Sequence, residues 1–225
     1  MKYLVFLGTV RDSTPPKPAR LGERVAKACV HYLEQTFDNA EVELIDPLDY
    51  PLNGVFKPHF TYHENKVPEQ LDALAKKIEA ADAYVMVSPE YNHSMSPALA
   101  NLLNHFGASL YSYKPSAIVT YSAGQWGGSR AAVNMRTFLS ELGCLPVSAM
   151  IHVPKAQTVF EENGKFTQEV EDTERWVGYF GRTLNQLFWW ADAAQKQRQA
   201  LDPRTLAKDF KSDPSQRNAP DSSSE

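Results

Sequence analysis

Three short stretches of this chain concentrate side chains able to hold a charged, planar ligand. The first, Gly8-Thr9-Val10-Arg11-Asp12-Ser13, joins a glycine that lets the backbone turn sharply to two hydroxyls and a guanidinium fork matched to phosphate oxygens. A helix expected to begin near Ala19 adds its N-terminus and a second arginine, Arg20. Together these make an anion cradle, although an ordinary polar strand-to-helix loop explains the same residues equally well, and the stretch matches neither G-x-G-x-x-G nor the Walker pattern. The second stretch, Ser88-Pro89-Glu90-Tyr91-Asn92-His93-Ser94-Met95-Ser96-Pro97, is stiffened at both ends by proline. Tyr91 offers a flat amphipathic face, and Asn92 supplies amide donors and acceptors and tolerates left-handed backbone. A flat heteroaromatic ring could stack here and be read by loop N–H groups. A rigid turn with Ser96 as helix cap accounts for the end of the stretch but not for Glu90-Tyr91-Asn92. The third, Ser122 to Arg130, gathers three of the eleven glycines of the chain within five positions. Glycine density at a strand end marks close approach of the backbone to another group, and Trp126 among the glycines reads as a ring-stacking or interface residue.

Other chemistry is thinly represented. Cys29 and Cys144 have no partner nearby in sequence, so there is no CxxC or zinc pattern, and both sit in apolar-patterned segments expected to bury them as free thiols. His59 and His63 are four apart, but Pro58 argues against a helix there and no carboxylate completes an H-E-x-x-H motif, so no metal is expected. His93 either faces a ring edge and assists protonation or is a plain surface residue of its loop. No nucleophile is evident. The formal charge of −4 gives no case for nucleic acid, which requires a clustered basic face. No apolar run approaches the roughly 20 residues that span a bilayer, and the N-terminal run is too short for a signal peptide. The expectation is a reduced, cytoplasmic protein.

The elements that would position these stretches alternate. Short buried-type strands are expected at Tyr3–Leu7, Glu41–Ile45, Ala83–Ser88, Ser116–Tyr121 and Leu145–Ile151. Helices are expected at about Ala19–Thr36, Pro68–Ala81, Ser96–Phe106, Gly128–Leu142 and Val170–Arg198. Such alternation predicts an α/β fold, a three-layer sandwich around a five-stranded parallel sheet, with the flavodoxin-like order 2-1-3-4-5 favoured by right-handed crossovers. Ligands of such sheets bind beyond the carboxyl ends of the strands where the order reverses, which is where the three stretches fall. The connection 47–66 is long and rich in aromatics. Its Phe56, Phe60 and Tyr62 either line a pocket, cover a partner's site, or form a satellite core. Trp189 and Trp190, on adjacent faces of the last helix, suggest a subunit interface. Residues 1–200 are expected to form one domain, and the polar segment 203–225 a disordered tail.

With these residues in view, the chain resembles the NADPH-dependent FMN reductase family, which includes quinone reductases and azoreductases. The most specific part is Ser88-Pro89-Glu90-Tyr91-Asn92-His93-Ser94, similar to the family's S-P-E-Y-N-x-S segment, continued by Pro97-Ala98-Leu99-Ala100-Asn101. Gly124 to Arg130 is similar to its G-G-x-G-G-x-R loop with Gln125 in place of a glycine, and Gly8-Thr9-Val10-Arg11 to its G-S-x-R loop with Thr for Ser. Leu187 to Ala191 is similar to a terminal-helix pattern. Departures are the long, proline-rich stretch between Arg11 and Gly22 and the polar tail.

The resemblance implies a flavodoxin-like fold, bound FMN, NADPH or NADH as electron donor, a small-molecule acceptor and a homodimer. It implies that Thr9, Arg11 and Arg20 hold the FMN phosphate, that Pro89, Glu90, Tyr91 and Asn92 border the isoalloxazine ring, and that Ser122, Gly124, Gln125 and Gly127 lie near its other edge. The flavin would carry the chemistry, passing two electrons from nicotinamide to a quinone, flavin or azo compound by a ping-pong mechanism. A one-electron carrier and a protein-binding regulator remain alternatives on the same fold.

Overall fold

Every strand of the sheet ends on the same side of the molecule, because all its pairings are parallel. The computed structural model describes residues 1–206 apart from Pro15, Pro51 and Asn53. In chain order its elements are β1 (Lys2–Leu7), α1 (Leu21–Thr36), β2 (Glu41–Ile45), α2 (Glu69–Ala80), β3 (Ala83–Pro89), α3 (Pro97–Asn104), the short α4 (Ala108–Tyr111), β4 (Pro115–Tyr121), α5 (Ser129–Glu141), β5 (Leu145–Pro146), β6 (Ile151–Val153), the short α6 (Ala156–Val159) and α7 (Thr173–Ala200). The sheet order is 2-1-3-4-5, the flavodoxin-like order expected from the sequence.

Period-two alternation on buried strands splits the core into two. Tyr3, Val5 and Leu7 of β1 face one apolar cluster with α1 and α7, while Leu4 and Phe6 face the other with α2, α3 and α5. The result is a helix–sheet–helix sandwich, with Val25, Cys29 and Leu33 as the buried stripe of α1 and Leu71, Leu74 and Ile78 as that of α2. Both cysteines are buried free thiols, and burial pushes that of Cys144 up to about 12.

One expected element differs. Leu145–Ile151 is not a single strand. Pro115 and Ser116 of β4 pair with Leu145 and Pro146, whereas Val119 to Tyr121 pair with Ile151 to Val153, so three steps along β4 match five along the edge and two residues bulge out. Pro146 has no N–H to extend a ladder, and Arg136 of α5 binds the bulge by donating to the carbonyls of Val147 and Ser148 at 3.1 and 3.0 Å. The bulge carries the chain on to β6, which the sequence did not reveal, and β6 supports the loop that follows β4. Of the expected polar tail, residues 207–225 lie outside the described residues.

Candidate active site

Three loops leave the carboxyl ends of β1, β3 and β4 side by side. Gly8 lies directly against β3: its N–H donates to the Val87 carbonyl at 2.7 Å, and a Cβ there would stand 2.5 Å from that oxygen. The register pairs Pro89 with Tyr121, so the loops after β3 and β4 start from adjacent positions.

The loop after β3 is built from its own side chains. Ser88 Oγ donates to the Pro89 carbonyl and accepts from the Ser96 N–H at 2.9 Å, tying the loop's two ends together. Ser96 caps α3 by accepting from Leu99 N, with Pro97 at the first helical position. Tyr91 and Ser94 exchange both backbone hydrogen bonds, and Asn92 and His93 between them have φ of 50° and 63°. That is a two-residue turn with both central residues left-handed, which Asn tolerates. The Glu90 carboxylate accepts from the N–H groups of Arg130 and Ala131 and lies 3.6 Å from the Arg130 guanidinium. It therefore caps α5 and locks this loop to the next.

The loop after β4 is held by Ser122. Its hydroxyl donates to the Gly124 carbonyl and accepts from the Gly127 N–H, while its own N–H and carbonyl bond to Val153 and Ala156. Gly127 and Gly128 have φ of 61° and 76°, and a Cβ on either would crowd His152, Pro154 or Thr120. Two of the three clustered glycines thus answer to the protein's own packing. Gly124 alone opens onto free space, with nothing within 4 Å of a Cβ placed there.

Between the loops lies a cavity of about 510 Å³, within the range of about 300–1,000 Å³ typical of small-molecule sites. Of the residues singled out in the sequence, Thr9, Arg11, Arg20, Pro89, Glu90, Tyr91 and Ser122 line it. Asn92 and His93 stand at the exposed turn tip, and Asn92, Gly124, Gln125 and Gly127 are not among its lining residues. Arg20 is buried and committed: its guanidinium pairs with Asp46 and donates to the Thr9 carbonyl at 2.8 Å. Its Nε, 3.6 Å from Glu23, has no hydrogen-bond partner among the described residues. Sequence reasoning missed Arg24, Tyr121 and Gln157, which also line the cavity. Arg24 lies one helical turn after Arg20. Tyr121 is the last residue of β4, a place where the sheet rule could have found it. Gln157 donates to the Ala123 carbonyl from a segment that showed no signal. The Tyr121 phenol is held protonated well above the ordinary tyrosine range, mainly by burial and next by Tyr91.

These contents fit a phosphorylated planar ligand. Arg11 is exposed, and among the described residues its side chain makes one hydrogen bond, from Nε to the Tyr91 hydroxyl at 3.2 Å, which leaves both Nη groups available. The N-cap residue of α1, Arg20, makes no side-chain capping hydrogen bond, so the first N–H groups of the helix add to the anion-binding end.

The match to known proteins agrees with this geometry. Residues 1–158 match the family model of NADPH-dependent FMN reductases. The chain belongs to that family. It is 26% identical over 175 residues to a subunit of an NADH:(hydroxy)cinnamate reductase of Vibrio ruber, covering 75% of this chain and 79% of that protein. It is 31% identical over 106 residues to an NAD(P)H-dependent FMN reductase of Pseudomonas aeruginosa, covering 45% of this chain and 57% of that one, so the second match spans little over half of the relative. In three dimensions it superposes on a flavoenzyme NAD(P)H:(acceptor) oxidoreductase from Paracoccus denitrificans with a TM-score of 0.62, at 20% identity, covering 87% of this chain and 97% of that one. At that identity the likeness is one of fold.

Elsewhere, the aromatic connection divides. Tyr62 lines a separate cavity of about 250 Å³ beside α2, Phe56 rests edge-on against His105, and Phe60 is exposed. His59 pairs with Asp72 at 3.3 Å. No described helix is long and apolar enough to cross a membrane.

Proposed function

We propose that this member of the family binds FMN in the crevice and acts as an NAD(P)H-dependent reductase of a small acceptor: a quinone, a flavin or an azo compound. The observation that carries the reading is one cavity in which the loops after β1, β3 and β4 bring together an available arginine fork, a helix start whose N-cap side chain makes no capping bond, and two tyrosines. When bound, FMN supplies the hydride and electron chemistry that no side chain here supplies.

The chain's own residues bind and orient. Arg11, Thr9 and the first turn of α1 hold the phosphate, with Arg20 fixing the Thr9 carbonyl from behind. Pro89, Glu90 and Tyr91 border the ring, and Ser122 with Gly124 lies at its opposite edge. Glu90 contributes backbone rather than charge, since its carboxylate is committed to α5. The Tyr91 N–H is taken by Ser94, so the Glu90 N–H, beside the cavity, is the loop's donor toward charge that builds on a ligand. One open crevice serves donor and acceptor in turn, which makes the kinetics ping-pong.

The same reading takes residues 1–200 as one FMN-binding domain followed by a tail, a cytoplasmic location, and a homodimer. Trp189 and Trp190, 60% and 42% exposed and packed edge-to-face at 4.6 Å, mark an apolar patch suited to a subunit contact. Light scattering across a concentration series checks the dimer.

The test of function is anaerobic mixing of FMN-loaded protein with NADPH or NADH. Bleaching of the flavin band, then parallel lines in initial-rate plots with a quinone, is the expected result. A flavin band that neither nicotinamide bleaches overturns the reading and leaves an electron carrier; a protein that takes up no FMN leaves a regulator.

A further inference from the structure

The best-fixed and the least-fixed walls of the crevice meet at one side-chain contact. The β3 loop is anchored throughout: Ser88 joins its ends, Glu90 is bonded to two N–H groups of α5, and Ser94 Oγ donates to Asn134 at 2.9 Å. Tyr91 sits between Glu90 and the tight Asn92-His93 turn, so its ring projects from a rigid support. Opposite it, the side chains of the β1 loop around Arg11 have mostly local contacts. Arg11 N donates to Thr9 Oγ1 at 3.3 Å, Thr14 N to Asp12 at 2.8 Å, and Asp12 pairs with Lys17. The Arg11 guanidinium is exposed, and what holds it is the Tyr91 hydroxyl, 3.2 Å from Nε.

The choice of atom matters. A guanidinium carries five N–H donors in one plane, and a phosphate is gripped best by two of them in parallel. With Nε on Tyr91, the remaining four donors lie on Nη1 and Nη2 and stay free for that grip. An unheld arginine would surrender rotamer freedom on binding, whereas one already held in place surrenders less, and the difference is gained as affinity. A hydroxyl acting this way has no effect on a ligand that lacks the phosphate.

Resting on the reading that this crevice takes FMN, we propose that Tyr91 is a positioning residue that sets Arg11 for the phosphate and thereby makes the chain select FMN over riboflavin. Phenylalanine keeps the shape of the Tyr91 ring and removes the hydroxyl alone.

The experiment is fluorescence titration of the apoprotein with FMN and, separately, with riboflavin. Tyr91→Phe is expected to bind FMN about fivefold more weakly, the scale of the freedom lost when one long side chain is immobilised on binding, and to bind riboflavin as the natural protein does. Arg11→Met is expected to lose more FMN affinity, and adding Tyr91→Phe to it should change nothing further, because the hydroxyl then has no arginine to hold. Equal losses for FMN and riboflavin in Tyr91→Phe, no loss for either, or an undiminished additional loss in the Arg11→Met background would each overturn the proposal. Should Tyr91→Phe fail to fold, Arg11→Lys keeps the charge without Nε: about tenfold weaker FMN with unchanged riboflavin supports the proposal, and full FMN affinity sinks it. If the natural protein binds neither flavin, it is the functional reading that fails, and a natural protein that binds both equally tells against the selectivity alone.

Discussion

The two ends of the sheet both gather charged side chains, and they treat them in opposite ways. At the amino end, Asp82 accepts from the Lys2 N–H, Gln195 and Arg198, and Lys114, 5% exposed, donates to the carbonyls of Ile78, Glu79 and Leu110 at 2.6 to 2.9 Å. At the carboxyl end, among the described residues, Arg11 keeps its Nη groups available, the Arg20 Nε lacks a hydrogen-bond partner, and the N-cap residue of α1 makes no capping hydrogen bond. Buried charge stabilises a fold only when its donors and acceptors are matched. Unmatched donors at the edge of a cavity cost stability and gain a use only when something else fills them. The contrast separates the end that holds the sandwich together from the end that binds.

The largest expected effect tests the amino end. Lys114→Ala removes three hydrogen bonds at once, leaving the Glu79 carbonyl without this donor and the Ile78 and Leu110 carbonyls to the Tyr84 hydroxyl, and is expected to lower unfolding stability by about 3 kcal/mol. FMN affinity, measured where the variant is still folded, should not change. Urea denaturation alongside a flavin titration checks both halves. A stable variant that binds poorly would reverse the roles assigned to the two ends.

Next in size is a pair of glycines at the carboxyl end. In Gly8→Ala the new methyl would stand 2.5 Å from the Val87 carbonyl, within the seam between β1 and β3, and about 2 kcal/mol of stability should be lost. In Gly124→Ala the methyl meets no protein atom within 4 Å. Its stability should stay within about 0.5 kcal/mol of the natural protein's, while FMN binding weakens about fivefold. Thermal melts with and without FMN distinguish the two. Unchanged FMN affinity in Gly124→Ala would remove that residue from the site.

How much of this could be read from sequence follows the range of each interaction. The strand order, the helix faces and the Ser96-Pro97 helix start were legible because they depend on local pattern and periodicity. So was the left-handed Asn92, a property of its own backbone. The role of Arg20 was not. Its partner Asp46 stands 26 residues away and reads as a turn residue before Pro47, so nothing local in the sequence shows that the guanidinium carries a carboxylate. Glycine density signals close approach of the backbone without naming the neighbour, and Gly127 and Gly128 make room for β6 and Thr120; β6 is hidden in the sequence because a bulge breaks its strand pattern. Tyr121 read as one more apolar strand residue, since only the assembled sheet shows that β4 ends in the crevice. Local chemistry located the loops; tertiary pairing decided which of their side chains are still free.

His152 lies between the two cases and gives the smallest and most specific prediction. It sits on β6 below the glycine turn. Its Nδ1 is 2.8 Å from Thr120 Oγ1, and Gly127 packs against its Cβ. Partial burial, and secondarily the Arg182 guanidinium, holds its pKa below the ordinary histidine value. Between that depressed value and the unfolded value of about 6.5, the unfolded chain binds more protons than the folded one, so stability falls as the pH drops through that window and is complete above it. His152→Gln removes the titrating group and should flatten the acid side of a plot of Tm against pH, with little change at pH 8. Arg182→Gln should flatten it in part, since it removes the lesser cause. Because the ring is only half-buried, the effect on stability should be smaller than that of Gly8→Ala. Superimposable acid limbs for the natural protein and His152→Gln would mean that the imidazole is solvated well enough to charge freely, and that the support beneath the glycine turn is as tolerant as the crevice above it.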